Sequence, residues 1–209
     1  MSKTTTTPVP RTAHITRLFR TATPEQVIAG AQWYSDAHEI SSTLAAKHGL
    51  TTEIVAGIFA ALSPLQSYGA NVNLLVRFLA AGGLHTGYLS GGLAKGRAIL
   101  AGADIESTLN GDKTVNFYRS IATAGVEGVC IDRHSWSVSV NTRYTGDSPM
   151  PSLSGKRYAL AVDVYKRAAS ILSRELGETI TPAQCQAVTW SLWRAKFWAV
   201  GAFDSHETI

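Results

Sequence analysis

Apolar residues recur every three to four positions along most of this chain, which is the spacing of one face of an α-helix. The first such segment begins at a capping box, Thr23-Pro24-Glu25-Gln26, and is expected to run to about Lys47, before Gly49. One face of this segment is formed by Val27, Ala31, Tyr34 and His38. The pattern predicts a long amphipathic helix.

The same spacing predicts further helices over residues 53–62, 71–80, 95–100, 105–109, 113–123, 156–176 and from 182 onward. The glycine-rich stretch 82–92 is expected to be a connection, and a second capping box, Thr181-Pro182-Ala183-Gln184, starts the last helix. No segment alternates apolar and polar residues as a strand does. We therefore expect an all-α fold of about eight to ten short helices. In the last helix, the aromatic residues are expected to pack in the core: Trp190, Trp193 and Phe197.

Composition excludes several classes of site. Two cysteines, Cys130 and Cys185, are too few for a disulfide framework or an iron–sulfur cluster, and Cys130 is expected to be a buried small hydrophobic residue. The histidines show no ligand-like pair on a helix face, so we expect no metal and no cofactor. No apolar run approaches the ~20 residues of a membrane span, and no secretory signal is visible. We therefore expect a cytoplasmic protein with no membrane partner.

The positive charge of the chain is concentrated near its N-terminus. The net charge is +4, from 19 Lys and Arg against 15 Asp and Glu. Four basic residues precede the first acidic residue, Glu25: Lys3, Arg11, Arg17 and Arg20. The charges after them balance. We predict a flexible basic arm over residues 1–22, which adds salt-sensitive affinity for nucleic acid, and a helical domain over residues 23–209.

One part of the chain combines features of a phosphate site and of an acid–base site. Leu109 to Asn116 places a glycine turn directly before a helix, and the unpaired N–H groups of such a helix start suit a phosphate. Farther on, Asp132 follows the apolar residues Val129 and Ile131, where a partly desolvated carboxylate is suited to catalysis. From the spacing alone, the simpler interpretation is favoured, in which Asp132 is an N-cap that stabilises its helix by about 1 kcal/mol.

These segments form an ordered set together with Leu62–Gln66 and Asn71–Asn73 upstream. Over about residues 52–140 the set resembles the HhH-GPD superfamily of DNA glycosylases. In that family L-S-x-Q-x-x-D-x-x-V-N precedes L-P-G-V-G-x-K-T-A-N and then V-D-T-H. The hairpin in this chain is shorter and lacks the second glycine, and Arg133 stands between Asp132 and His134 where the family has a small residue.

The chain is more similar to a divergent, often phage-encoded branch of that superfamily. The shared segments are Ala61–Pro64, Gly111–Tyr118, Val129–His134 and Thr181–Trp190, with the patterns A-L-S-P, G-x-K-x-x-N-F-Y, V-x-I-D-R-H and T-P-x-Q-x-Q-A-x-x-W. This branch is related to the alpha-glutamyl/putrescinyl thymine pyrophosphorylase proteins, which modify thymine instead of excising it. A phage-encoded member would work in the cytoplasm of the host cell.

The resemblance implies two helical lobes with a cleft between them, and a hairpin and catalytic segment at residues 105–140. The residues implied to be catalytic are Asp132 and Lys113. Those implied to line the base pocket or to flip the base are Gln66, Tyr68, Asn71, Tyr118, His134 and Trp136. Those implied to bind the DNA backbone are Asn110, Gly111, Thr114, Arg119 and Arg133. Packing in the core is the competing interpretation for the aromatic residues among them, and exposure to solvent for the two arginines.

The function implied is that of a monomeric enzyme that extrudes a pyrimidine, modified or not, from DNA and cleaves its N-glycosidic bond. Asp132 would stabilise the positive charge on the sugar, and Lys113, once buried in the cleft, would be the nucleophile. A monovalent cation at the hairpin is a further implied partner. Two alternatives stay open: a transferase that modifies a thymine on the same scaffold, and a helical DNA-binding module without catalysis.

Overall fold

A computed structural model describes residues 8–145 and 148–197 of the chain. These residues form ten α-helices and no strand, which confirms the expected all-α fold. The helices are α1 (Thr12–Phe19), α2 (Pro24–His48), α3 (Thr52–Ala61), α4 (Tyr68–Ala80), α5 (Ser90–Leu100), α6 (Ile105–Leu109), α7 (Asp112–Ala122), α8 (Arg133–Val140), α9 (Gly155–Leu176) and α10 (Pro182–Phe197). Within the described ranges, no helix is both long and apolar enough to cross a membrane.

The buried apolar side chains form two clusters. The first is built mainly by α2 to α5, with Leu109 of α6 and Ile121 of α7. The second is built by α1, α8 and α9 and by the segment that leads into α8, which contributes Val129 and Ile131. The two clusters correspond to two groups of helices.

Helix α10 belongs to both clusters. Ala183 and Ala187 pack in the first cluster, whereas Cys185 and Val188 pack in the second. The helix also lies very close to α2, because a Cβ atom added to Gly30 would be 2.8 Å from the Cα of Val188. Gly30 therefore permits the contact through which α10 joins the two groups of helices.

Helix α1 corrects the prediction of a flexible arm over residues 1–22. Ile15 and Phe19 are buried in the second cluster, and the backbone N–H of Arg11 donates to the carbonyl of Ser139 over 2.8 Å. Arg20 forms an ion pair with Glu175 of α9. An amphipathic helix of eight residues with two large apolar side chains binds this segment to the domain, and charge counting alone did not detect it. Residues 1–7 lie outside the described ranges.

Two helices begin earlier than the periodicity predicts. Helix α4 begins at Tyr68 because the Ser67 hydroxyl accepts a hydrogen bond from the Ala70 backbone N–H over 3.3 Å. Helix α5 begins at Ser90, inside the stretch predicted to be a connection. A Cβ atom on Gly92 would be 2.9 Å from the carbonyl oxygen of Ala61, so this glycine serves close helix packing and does not mark a loop.

Candidate functional site

A cavity of about 300 Å³ lies where the two groups of helices meet. Residues of helices α2, α4, α7, α8 and α10 line it. The structure brings six of the sequence-predicted site residues together around it: Gln66, Tyr68, Asn71, Lys113, Asp132 and His134. Its volume is at the lower end of the range for small-molecule sites.

Asp132 is both the N-cap of α8 and a wall of the cavity. Its Oδ1 accepts hydrogen bonds from the backbone N–H and the hydroxyl of Ser135, over 2.8 Å and 3.0 Å. Its Oδ2 accepts a hydrogen bond from Trp190 Nε1 over 2.8 Å. The capping interpretation and the catalytic interpretation of Asp132 are therefore compatible, because capping uses one oxygen and leaves the carboxylate beside the cavity.

The prediction that Trp190 packs in the core is wrong. It lines the cavity, and the guanidinium of Arg194 lies 4.6 Å from the centroid of its ring. Trp193, by contrast, is buried in the second cluster as predicted. The sequence does contain a signal that separates Trp190 from Trp193. Gln186, Trp190 and Arg194 recur every four residues and form a second stripe on α10.

A buried chain of hydrogen bonds ends at Asp132. The Tyr34 hydroxyl donates to Gln186 Oε1 over 2.8 Å, and Gln186 Nε2 donates to the Ser135 hydroxyl over 2.9 Å. Ser135 in turn donates to Asp132. Every hydrogen bond in this chain is donated in the direction of the carboxylate, an arrangement that orients the carboxylate. Sequence analysis missed Tyr34, Gln186 and Ser135, since all three are more than 90% buried and lie far apart along the chain.

Lys113 lies in the first turn of α7, at the edge of the cavity, and is exposed. This corrects the expectation that the cleft buries Lys113. Its backbone carbonyl contacts the sulfur of Cys130 at 3.8 Å. Burial raises the pKa of the Cys130 thiol to about 12, although the charge of Lys113 acts in the opposite direction. Cys130 is therefore an uncharged thiol, and its burial confirms the expected buried small hydrophobic residue.

Aromatic side chains form the inner wall of the cavity. The ring centroid of Trp33 lies 4.9 Å from that of Tyr68, 5.9 Å from that of Phe117 and 6.5 Å from that of Trp190. Trp33 and Phe117 are residues that sequence analysis did not select. A planar ring that enters the cavity would meet aromatic faces and edges, which favour stacked or edge-to-face contacts.

His134 stands in the first turn of α8, and its ring lies edge-on to Trp190 with the centroids 6.0 Å apart. Burial lowers the pKa of His134, and the positive charges of Arg194, Arg133 and Lys113 lower it further, while Asp132 acts in the opposite direction. The imidazole is therefore neutral at pH 7 and does not add a positive charge to the cavity.

The hairpin joins α6 and α7 through two residues, Asn110 and Gly111. Asn110 has a left-handed backbone with φ of 47°, and the Thr114 hydroxyl donates to the Gly111 carbonyl over 3.1 Å. The carbonyl of Leu109, inside the turn, accepts a hydrogen bond from the ammonium of Lys95. The Lys95 ammonium therefore already binds this carbonyl, an arrangement that does not favour a monovalent cation at the same oxygen.

Two predicted base-pocket residues are not brought to the cavity. Trp136 is 1% exposed and packs in the second cluster, because it lies on the face of α8 that turns away from the cavity. Tyr118 packs against the first cluster, whereas its neighbour Phe117 reaches the cavity. Of the two arginines predicted to bind DNA, Arg133 is exposed, and Arg119 pairs with Glu106 at 2.6 Å.

Across the ranges that the structure describes, no three His, Cys, Asp or Glu side chains lie close enough together to hold a metal ion. The polar chemistry of the cavity therefore comes from Asp132, from the cations Lys113 and Arg194, and from the amide, hydroxyl and indole groups around them.

The fold and the cavity define an all-α protein with an aromatic-lined site built around a helix-capping carboxylate. The chain belongs to a family of unknown function, DUF7178, which matches residues 1–197. No curated protein and no solved structure matches the chain.

Proposed function

We propose that this protein is a DNA-base-acting enzyme of the glycosylase type. In this proposal a pyrimidine nucleotide is extruded from DNA into the cavity, and its N-glycosidic bond is cleaved there. The observation that carries the proposal is the Asp132 carboxylate, which three hydrogen bonds hold at the wall of a cavity large enough for a base. A carboxylate in that position is the group that such a reaction needs.

The chemical role of Asp132 follows from the charge that develops during cleavage. When the base departs with the bonding electrons, the sugar becomes positively charged, and a fixed anion close to it lowers the barrier. Donors from Ser135 and Trp190 fix the orientation of the carboxylate before the substrate arrives. The same carboxylate can accept a proton from the attacking water, whose oxygen then forms the new bond to the sugar.

The helix–hairpin–helix glycosylase fold is part of the proposal. In support, α6 and α7 form a tight two-residue hairpin, and the next helix, α8, begins at the predicted catalytic aspartate. The exposed side of the hairpin carries Lys113 next to the cavity. This arrangement allows the phosphates next to an extruded nucleotide to contact the hairpin while the base enters the cavity.

The transferase alternative has one specific observation in its favour. Lys113 is exposed at the edge of the cavity, and an exposed ammonium is suited to hold a phosphate group. In a base-modifying reaction, Asp132 would accept a proton from an incoming amine, and Lys113 would hold a phosphorylated leaving group on the modified thymine. The amine nitrogen would then form the bond that the leaving group gives up.

The test compares two aspartates that cap helices in the same way. Asp132→Asn keeps a good N-cap and removes the charge, so we expect a turnover at least about 100-fold lower and a nearly unchanged fold. Asp104, which caps α6 by accepting from the Ser107 N–H over 2.9 Å, lies outside the cavity. Asp104→Asn is the matched control and is expected to keep full activity.

The substrates are duplexes with thymine, uracil, cytosine or hydroxymethylated pyrimidines, and mass spectrometry identifies released and altered bases. Release of a base supports excision, and a base of increased mass after addition of an amine supports transfer. DNA binding with no change in any base would leave only the DNA-binding module, and equal turnover by the wild type and Asp132→Asn would reject the catalytic role.

A further inference from the structure

Three polar atoms on the α2 and α4 side of the cavity have no hydrogen-bond partner in the described part of the chain. They are Trp33 Nε1, Tyr68 Oη and Asn71 Oδ1, and all three side chains line the cavity. A buried polar atom that gives up water without finding a partner costs free energy, so such atoms are few in native proteins. Three of them in one cavity wall indicate groups that a ligand satisfies.

The unpartnered atom of the Asn71 amide is an acceptor. Its Nδ2 donates to the backbone carbonyl of Phe59 over 3.3 Å, which fixes the orientation of the amide group. Asn71 is 3% exposed, and its Oδ1 has no partner in the described part of the chain. A ligand that pairs with Asn71 must therefore present an N–H group.

The other two groups act as donors. An indole N–H has no acceptor capacity, so Trp33 can only donate. Burial raises the pKa of Tyr68 well above its ordinary value, and the charge of Asp36 adds to this effect. The phenol therefore keeps its proton at physiological pH, so its O–H group needs an acceptor, although its oxygen can also accept a hydrogen bond. The wall thus offers two donors and one acceptor.

We propose that Trp33, Tyr68 and Asn71 recognise the Watson–Crick edge of an extruded pyrimidine. That edge presents one donor group and two acceptors in both uracil-type bases and cytosine, which complements two protein donors and one acceptor. Guanine presents the reverse set of two donors and one acceptor, so Tyr68 would have to accept and its own O–H group would stay without an acceptor. Adenine offers a single ring acceptor beside its amine. The wall is therefore matched to pyrimidines and mismatched to purines. This inference rests on the proposed function, because it assumes that the ligand is a base.

The first experiment measures binding without turnover. Short single-stranded oligonucleotides that differ only in one central base are titrated against the full-length Asp132→Asn protein, by fluorescence anisotropy. We expect both pyrimidines to bind at least about 10-fold more tightly than guanine. For the uracil-type base, N3-methylation removes the N–H group that Asn71 needs, and we expect a loss of about 10-fold or more. Equal binding of all bases, no binding of any, or indifference to N3-methylation would overturn the proposal.

The second experiment removes one donor from the protein. Tyr68→Phe deletes a hydroxyl that has no partner in the described part of the chain, so the variant should be at least as stable as the wild type. It should nevertheless bind the pyrimidine oligonucleotide about 3- to 10-fold more weakly. Tyr118→Phe, on α7 and outside the cavity, is the matched control and should leave binding unchanged. Unchanged binding by Tyr68→Phe, or a loss as large for the control, would contradict the assigned role.

The two proposals can fail separately. The protein could prefer pyrimidines in a way that depends on Tyr68 while the wild type leaves every base unchanged. That result would support the proposed base recognition and reject the proposed enzymatic activity. Conversely, turnover that changes neither with Tyr68→Phe nor with N3-methylation would support the enzymatic activity and reject this mode of recognition.

Discussion

Replacement of Trp190 by phenylalanine tests how Asp132 is held. The indole N–H of Trp190 donates to Oδ2 of Asp132 over 2.8 Å, and the ring also lines the cavity and lies under Arg194. Phenylalanine keeps an aromatic face for the guanidinium and removes the N–H. The change therefore removes one of the three donors that bind the carboxylate and leaves the two from Ser135 in place.

The expected size of the effect follows from the type of hydrogen bond. A hydrogen bond to a charged group contributes about 1.5–3 kcal/mol. Asp132 is only half-buried, so water in the cavity can take the place of the indole at Oδ2, and we expect a loss of about 1.5 kcal/mol of folding free energy. Turnover depends on a fixed carboxylate, and a weakening of similar size in the transition state lowers the rate about 10-fold.

The assay compares Trp190→Phe with Trp193→Phe, three residues farther along the same helix. Trp193 is 4% exposed in the core, and its Nε1 has no partner in the described residues. Both variants are measured for the free energy of unfolding in urea and for turnover of pyrimidine-containing DNA. We expect both to lose stability but only Trp190→Phe to lose turnover. Wild-type turnover by Trp190→Phe, or an equal loss in Trp193→Phe, would refute the idea that the indole positions Asp132.

Three further predictions concern His134, Gly128 and Lys113. Because burial lowers the pKa of His134 below the ordinary 6.5, the unfolded chain binds a proton there at a higher pH than the folded chain does. Stability should fall as the pH drops below about 6.5, and urea unfolding at pH 7.5 and pH 5 should show a smaller fall for His134→Gln. Gly128→Ala, at φ of 78° with an added Cβ only 2.5 Å from the carbonyl oxygen of Asn116, should cost about 3 kcal/mol or more. Gly177→Ala, which also has a positive φ but open space around it, should cost about 1 kcal/mol, and equal losses would contradict the packing argument. Borohydride should trap a covalent adduct with DNA if Lys113 is the nucleophile. An adduct that persists in Lys113→Ala would exclude that role for it.

Local signals in the sequence predicted the helices well. Thr23 and Thr181 form reciprocal hydrogen bonds with Gln26 and Gln184, so both capping boxes are confirmed. Such caps depend on residues three positions apart, and the sequence contains everything that decides them.

The contacts around Asp132 depend on tertiary packing and were only partly predictable. The bond from Trp190 crosses 58 residues, and that between Tyr34 and Gln186 crosses 152. Grouping Trp190 with its aromatic neighbour Trp193 assigned it to the wrong face of α10. The four-residue spacing from Gln186 indicates the correct face, but only the packing of α10 against α2 and α8 shows what that face contacts.

The dependence of the site on α10 has a consequence for protein synthesis. Lys113 and Asp132 leave the ribosome well before Gln186 and Trp190, which α10 supplies and which orient the carboxylate. A nascent chain that lacks α10 also lacks the helix that joins the two hydrophobic clusters. Under the proposed function, an incomplete chain cannot act on a base. A chain with the proposed activity would therefore become active only after α10 has been synthesised and has packed against α2 and α8.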